Sequence, residues 1–503
     1  MDNRFKKLKW NSILGLCYQA ALVITGLILP KFFLHYYGSE VNGLISSITQ
    51  FLTFINICDL GISAVVSAAY YKPLAEGDSY RISQIFVYSK RFFRAIGIIL
   101  LVYIGVLLAV YPTLINNSFG YWFTFALIGA MGLSQLGQYF IGLSYQLLIN
   151  SDQRSYVQLA TNGCTLILNT VISILLMVLG TSVQLVKLTT SLIYLMRPLI
   201  MYIYISKRYN IDKHVPVDKT VIPQKRHGIV QHIAYMVYEN TDVIVLTVFS
   251  TLSNVSIYSI YTLVTGSIKQ IVNAATTGVQ SLIGNMIVRG EREGLKSFYL
   301  LYNWGVHTMY TILFTVTALL IVPFVRLYTS GVTDANYDVP VFAVLITVAY
   351  FLSGIRNCQY VLIRAAGHFK QTQVAALIEM SLNLITSIVL VFKFGLIGVA
   401  IGTIIATLFF IVYEMFYFSK NIVSVEIWTS VKQLLIDAIV SCAVVIIMRH
   451  INVFKESVMT WILQALIAMG ICLAVSLIVQ LIFYNRNVRS IFNKFKKRAS
   501  RNA

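Results

Sequence analysis

Apolar runs recur from one end of the chain to the other, separated by short polar and mostly basic stretches. A membrane-spanning helix needs about 20 apolar residues. The runs predict helices over 11–33, 40–70, 92–112, 120–147, 155–178, 184–206, 228–250, 255–286, 298–325, 339–366, 372–392, 396–418, 430–449 and 459–483. Two of them break the apolar pattern with a polar stripe. The second carries Ser46, Thr49, Gln50, Thr53, Asn56, Asp59, Ser63 and Ser67; the eighth carries Thr262, Thr265, Lys269, Gln270, Asn273, Thr277, Gln280 and Ser281. Steps of three and four residues place each set on one helical face. A polar face cannot be turned to lipid, so it must meet protein or water. Long, amide-rich stripes are expected to line a water-filled cavity; the alternative is that they tie helices together by hydrogen bonds.

The two stripes are related. Thr53 and Ser267, Asn56 and Gln270, Asp59 and Asn273, Ser63 and Thr277, and Ser67 and Ser281 all stand 214 positions apart. Leu168-Asn169-Thr170-Val171-Ile172-Ser173 matches Leu382-Asn383-Leu384-Ile385-Thr386-Ser387 at the same offset. Six helices separate the copies, so orientation is preserved. The expected organisation is a six-helix lobe over 1–210, a basic inter-lobe linker over 211–226, a second six-helix lobe over 227–420, and two extra helices with a basic tail over 421–503. Parallel repeats of this kind are a transporter architecture, with substrate bound between the halves.

Composition narrows the class. Of 503 residues 57% are hydrophobic and only 12% charged, against about 25% charged in soluble globular proteins. This excludes a soluble enzyme, a disordered chain and a disulfide scaffold. The first run follows Lys6, Lys7 and Lys9 and is too long for a signal-peptide core, so it is expected to be retained. The net charge of +20 does not point to nucleic acid, because the basic residues sit in short connections. Of the 39 Lys and Arg residues, 30 fall on the side of the termini and five on the other, with Lys187, Arg197, Lys269 and Arg356 inside helices. By the positive-inside rule both termini are expected to be cytoplasmic. The six cysteines lie inside apolar runs without metal-ligand spacing and are expected to be buried free thiols.

Ionisable groups inside a membrane are costly and usually functional. Lys269, Arg356 and Arg197 are candidates for an anion site facing the cavity, beside Asn56, Ser63, Gln270, Asn273 and Thr277. Lys269 could instead pair with Asp59 or Asp242. Asp59, Asp242, Glu239 and Glu379 could carry ion coupling or balance the cations. Lys187, Glu414 and Asp437 stand nearer helix ends and are expected to snorkel to the surface. No catalytic constellation, metal-ligand cluster or phosphate-binding glycine loop is present in the sequence, so neither enzymatic activity nor a cofactor is expected.

Two stretches carry a resemblance to a known family. Tyr37-Gly38-Ser39-Glu40-Val41-Asn42-Gly43-Leu44, followed by Phe51 to Asp59-Leu60-Gly61, resembles the polysaccharide transporter family. So does Asn240-Thr241-Asp242-Val243-Ile244-Val245-Leu246, followed by Val255-Ser256-Ile257-Tyr258, although Ser256 stands at a glycine position of that pattern. These are repeat-unit flippases of the multidrug/oligosaccharidyl-lipid/polysaccharide (MOP) superfamily. The resemblance implies an all-α polytopic membrane protein of about 14 helices: two parallel six-helix lobes in a V, plus two C-terminal helices flanking a lipid-tail groove. It implies a flippase that moves an undecaprenyl-pyrophosphate-linked oligosaccharide across the bacterial cytoplasmic membrane by alternating access. Its partners would be the lipid-linked oligosaccharide, the bilayer, and the glycan polymerase and glycosyltransferases of the same pathway. A cation-coupled multidrug exporter of the same fold is the first alternative; its cavity should be acidic and aromatic. A membrane glycan polymerase is the second, disfavoured by the short outer loops and the lack of an acid/base pair.

Overall fold

The computed structural model describes residues 2–59, 62–115, 119–216, 229–276, 279–451 and 457–484. Among these residues the chain is helical throughout, with no strand. In chain order the helices are α1 (Asp2–Thr53), α2 (Ile62–Glu76), α3 (Ser79–Leu114), α4 (Tyr121–Gly137), α5 (Leu143–Ser151), α6 (Ser155–Val178), α7 (Val183–Arg208), α8 (Ile229–Phe249), α9 (Leu252–Ala275), α10 (Val279–Val288), α11 (Arg292–Tyr328), α12 (Pro340–Ala366), α13 (Phe369–Phe394), α14 (Leu396–Asn421), α15 (Ile427–Arg449) and α16 (Val458–Phe483). A 3-10 segment, Phe54–Asp59, follows α1, and a π-helical segment, Gln138–Gly142, joins α4 to α5. Eleven helical spans among the described residues are long and apolar enough to cross a membrane.

These elements follow the predicted runs, with three differences in detail. The boundary expected between the first two helices is a break at Gly38, whose φ of 81° and ψ of 177° only glycine adopts readily. The run over 40–70 is not one helix: it is the end of α1, the 3-10 segment and α2. The run over 255–286 likewise divides into α9 and α10. The linker lies outside the described residues from position 217 onward, as does the basic tail from 485.

Helix α3 shows why the helices form and what they face. Phe93, Gly97, Leu100, Ile104, Leu107 and Tyr111 recur every three or four residues and are buried. The opposite side, Ile98, Val102, Val106 and Val110, is as apolar yet exposed. A helix that is apolar all round belongs in lipid, and exposed apolar area on this scale would be untenable in water. The chain is a multi-pass membrane protein.

The chain packs as two units. One comprises residues 1–259 with the segment Gly331–Ala335, the other residues 260–330 and 336–503. The first is built around Leu44, Ile48, Tyr70, Phe93, Leu127 and Leu148. The second has one core around Tyr299, Tyr310, Ile355, Leu362 and Phe418, and another where α15 and α16 pack on α11 through Val316, Val440, Val444, Ala468 and Cys472. Cys358 and Cys472 are buried free thiols, but Cys17, Cys164 and Cys442 are exposed, on helix faces the apolar pattern alone cannot tell apart.

Candidate functional site

In the first unit, polar side chains on and beside the stripe tie α1 and the 3-10 segment to neighbouring helices. Asn42 Nδ2 donates to Ser256 Oγ on α9 at 2.8 Å. Ser47 Oγ accepts from Tyr111 on α3 at 2.6 Å and from Thr247 on α8 at 2.7 Å. Gln50 donates to Asn240 on α8. Asn56, in the 3-10 segment, accepts from Tyr139 at 2.8 Å. Such bonds are worth about 0.6 kcal/mol each in a membrane. Thr49 and Gln270 keep exposed side chains, and Ser63 is half-buried on α2. Among the described residues the members of the first stripe are half-buried or exposed, with Gln50 and Asn56 bonded to other helical segments; the buried polar residues Asn42 and Ser47 lie beside the stripe. The side chain of Asp59 and all of Thr277 lie outside the described residues.

Arg197 stands on α7, held against α6. Its Nε donates to Thr165 Oγ1 at 2.7 Å, an Nη reaches the Asn162 carbonyl at 3.5 Å, and the guanidinium lies 3.8 Å from the Tyr194 ring centroid. All these partners are neutral. Lys187, ten residues earlier on α7, has its ammonium 4.2 Å from the Phe33 ring centroid. On α8, Asp242 is buried and accepts from Tyr258 at 2.8 Å, while Glu239 is exposed.

In the second unit α12 presents two polar faces. Along one, Ser353 accepts from Lys269 Nζ of α9 at 2.7 Å, and Tyr350 sits 5.7 Å from the same ammonium. One turn on, Asn357 and Tyr310 donate to Asn273 at 3.3 and 3.2 Å. Lys269 and Asn273 of α9 thus meet polar side chains of α12 one turn apart, Ser353 and Asn357. The other face carries Arg356, 8% exposed, whose Nη1 meets Glu379 Oε1 of α13 at 2.5 Å. Its guanidinium lies 4.2 Å from the Phe410 ring centroid on α14. Glu379 is thereby placed to balance Arg356.

Two acids do not snorkel as expected. Asp437 is 2% exposed, 2.6 Å from His307 Nδ1, and accepts from Gln433 at 3.0 Å. Glu414 is fully buried. Both lie on helix faces packed against neighbours, and distance from a helix end does not reveal that. A small internal cavity touches this region, lined by His307, Arg356, Gln359 and Ser430 among apolar neighbours.

A cluster outside the candidate set closes one end of the first unit. Lys7 Nζ reaches both the carbonyl and Oδ1 of Asp152, at 2.9 and 3.0 Å. Arg154 Nε contacts Asp152 Oδ2 at 2.5 Å, and the Tyr209 hydroxyl donates to the same oxygen. Burial alone would raise the Asp152 carboxyl, but the bonds from Tyr209, Arg154 and Lys7 outweigh it and hold it below the usual carboxylate range. The same bond pushes the Tyr209 hydroxyl up, in the direction burial already drives it. Spacing along the chain does not reveal this clasp, because Asp152 stands 145 positions from Lys7 and 57 from Tyr209; the pair Asp152-x-Arg154 between two apolar runs was the available signal.

Together these features define an all-α, multi-pass membrane protein with polar and ionised groups inside its helical units. No protein-family model matches the chain, and no curated protein sequence does. Solved structures do match. The chain resembles the lipid II flippase MurJ in an inward closed conformation with a TM-score of 0.70 and 14% identity, covering 95% of this chain and 99% of that one. It resembles an inward-facing multidrug resistance MATE family transporter of the MOP superfamily with a TM-score of 0.57 and 14% identity, covering 80% and 94%. A eukaryotic MATE transporter matches with a TM-score of 0.56 and 11% identity over 93% and 99%. The chain shares its fold with these flippase and MATE transporter structures.

Proposed function

We propose that this chain is a flippase that moves a lipid-linked, pyrophosphate-bearing oligosaccharide across the bacterial cytoplasmic membrane by alternating access of two six-helix lobes, with both termini cytoplasmic. The observation that carries the reading is Arg197. An intramembrane guanidinium whose described partners are a hydroxyl, a carbonyl and a ring retains a full positive charge. Such a charge favours a phosphate over an organic cation, because a guanidinium can bind phosphate through paired hydrogen bonds. Lys269, half-buried on the second stripe next to the exposed Gln270, supplies the second cation. Arg356 and Glu379 balance each other. The repeat is supported by the bond between Asn42 and Ser256, positions 214 apart: equivalent residues of two copies touch only near a two-fold axis. The glycan polymerase and glycosyltransferases of the pathway act before and after this step, and the chain itself performs no covalent chemistry.

The test is a cell-surface glycan assay run beside a measurement of membrane protein level. Arg197→Gln and Lys269→Ala are each expected to abolish export with the protein folded and inserted. Arg197→Lys and Lys269→Arg are expected to keep partial activity, since charge survives while geometry changes. Full export by both neutral variants sinks the anion-site reading. Cation efflux lost in those variants, with glycan export intact, would instead establish the multidrug exporter.

A further inference from the structure

We propose that Glu414, Glu379 and Arg356 form a proton-binding site in which one guanidinium serves two carboxyl groups and the carboxyl it does not serve carries a proton. The three residues come from α14, α13 and α12. Glu414 is fully buried, and neither carboxyl oxygen has a hydrogen-bond partner among the described residues. An ionised carboxylate in that position is strongly disfavoured unless it is paired. The guanidinium that could pair it is close. Arg356 lies over Phe410, one helical turn before Glu414 on the same face of α14, while its Nη1 is committed to Glu379 at 2.5 Å.

Arg356 is the guanidinium placed between the two acids, and Arg364 is a second cation within electrostatic reach of Glu414. On α12, Arg364 and Tyr360 lie within electrostatic reach of Glu414, as does Glu379 on α13, and Arg364 stacks on Tyr360 at 4.7 Å from the ring centroid. Tyr299 of α11 and Cys358 of α12 also face it, both uncharged, and Tyr413 is its neighbour on α14. On α15, Asp437 is already engaged by His307 and Gln433.

Two arrangements of the triad carry the same net charge. In one, the observed geometry, the proton resides on Glu414 and Arg356 pairs with Glu379. In the other, Arg356 swings to Glu414, which gives up its proton, and Glu379 takes one up. Releasing the proton without replacement leaves two carboxylates on one guanidinium. Each arrangement joins a different pair of helices, α12 to α13 or α12 to α14, so the proton's position and the helix pairing are linked. Under the flippase reading this proton is the coupling ion; the site itself does not depend on that reading.

The experiment needs no transported substrate, so it stands or falls separately from the proposed function. Acid-minus-alkaline infrared difference spectra are recorded on the purified full chain in lipid nanodiscs. The wild type is expected to show the carbonyl band of a protonated, buried carboxyl near neutral pH, and Glu414→Gln to lack it. Glu379→Gln is expected to lack it as well, because Arg356 then turns to Glu414 and ionises it. Arg356→Gln is expected to strengthen the band, since both acids then hold protons. A wild type without the band, or a band unchanged in Glu414→Gln, overturns the site. A band that persists in Glu379→Gln overturns the shared proton.

Discussion

At the residue scale, the ionisable groups divide by what their neighbours supply. Asp152 shows a depressed carboxyl, and the sign of its effect on stability follows. A group ionised more easily in the folded than in the unfolded state contributes stability above its unfolded value, about 3.9 for Asp. That contribution is lost as pH falls through the lower folded value. Asp152→Asn is therefore expected to lower the thermal midpoint near neutral pH and to bring it closer to the wild type as the medium is acidified below the ordinary carboxylate range. Melting curves of both proteins in lipid across that range check this; equal midpoints at neutral pH would mean the contacts with Lys7, Arg154 and Tyr209 contribute nothing. Spacing along α9 puts Lys269 and Asn273 on one helix face, and both meet polar groups of α12. The sequence misplaced Glu414 and Asp437 because their surroundings come from other helices. No periodicity along α14 or α15 says that Arg356, Glu379 or His307 will stand opposite.

At the element scale, existence and order of the helices were legible and their internal breaks were only partly so. Gln50, Thr53, Asn56 and Asp59 repeat at a strict interval of three, the period of a 3-10 helix and not of an α-helix. The break at Phe54–Asp59 was thus written in the stripe, although that run reads as one helix by hydropathy. Close crossings were less visible, since a glycine in an apolar run has many uses. A Cβ on Gly43 of α1 would collide with the Leu252 carbonyl at the start of α9, and one on Gly398 of α14 with the Leu390 carbonyl of α13. Backbone cannot retreat as a flexible side chain can. Gly470 of α16 has open space around it. Gly43→Ala and Gly398→Ala are expected to destabilise the protein by about 1–3 kcal/mol or more, the range of overpacking in a close-packed interior, whereas Gly470→Ala should be near neutral. Thermal denaturation of the three variants decides it, and a Gly43→Ala protein as stable as wild type would remove the close crossing of α1 and α9.

At the scale of the whole molecule, the charge bias makes a claim that no helix contact can make, because it concerns which side of the membrane each connection occupies. Thirty basic residues on the side of the termini against five opposite is a strong bias, and short connections are where the positive-inside rule has force. Two exposed or half-exposed positions before long helices test it directly: Ser182 precedes α7 and Asp78 precedes α3. In intact cells carrying a variant without native cysteines, Ser182→Cys is expected to react with an impermeant thiol reagent, and Asp78→Cys to react only after the membrane is opened. Because α3, the α4–α5 run and α6 are the three spans between these positions, an odd number of crossings must put them on opposite sides. Labelling of both from outside would therefore break the helix count itself, whereas labelling of Asp78→Cys alone would keep the count and invert the protein. Inversion would place the basic connections outside, and with them the side from which a cytoplasmic lipid-linked substrate would have to enter.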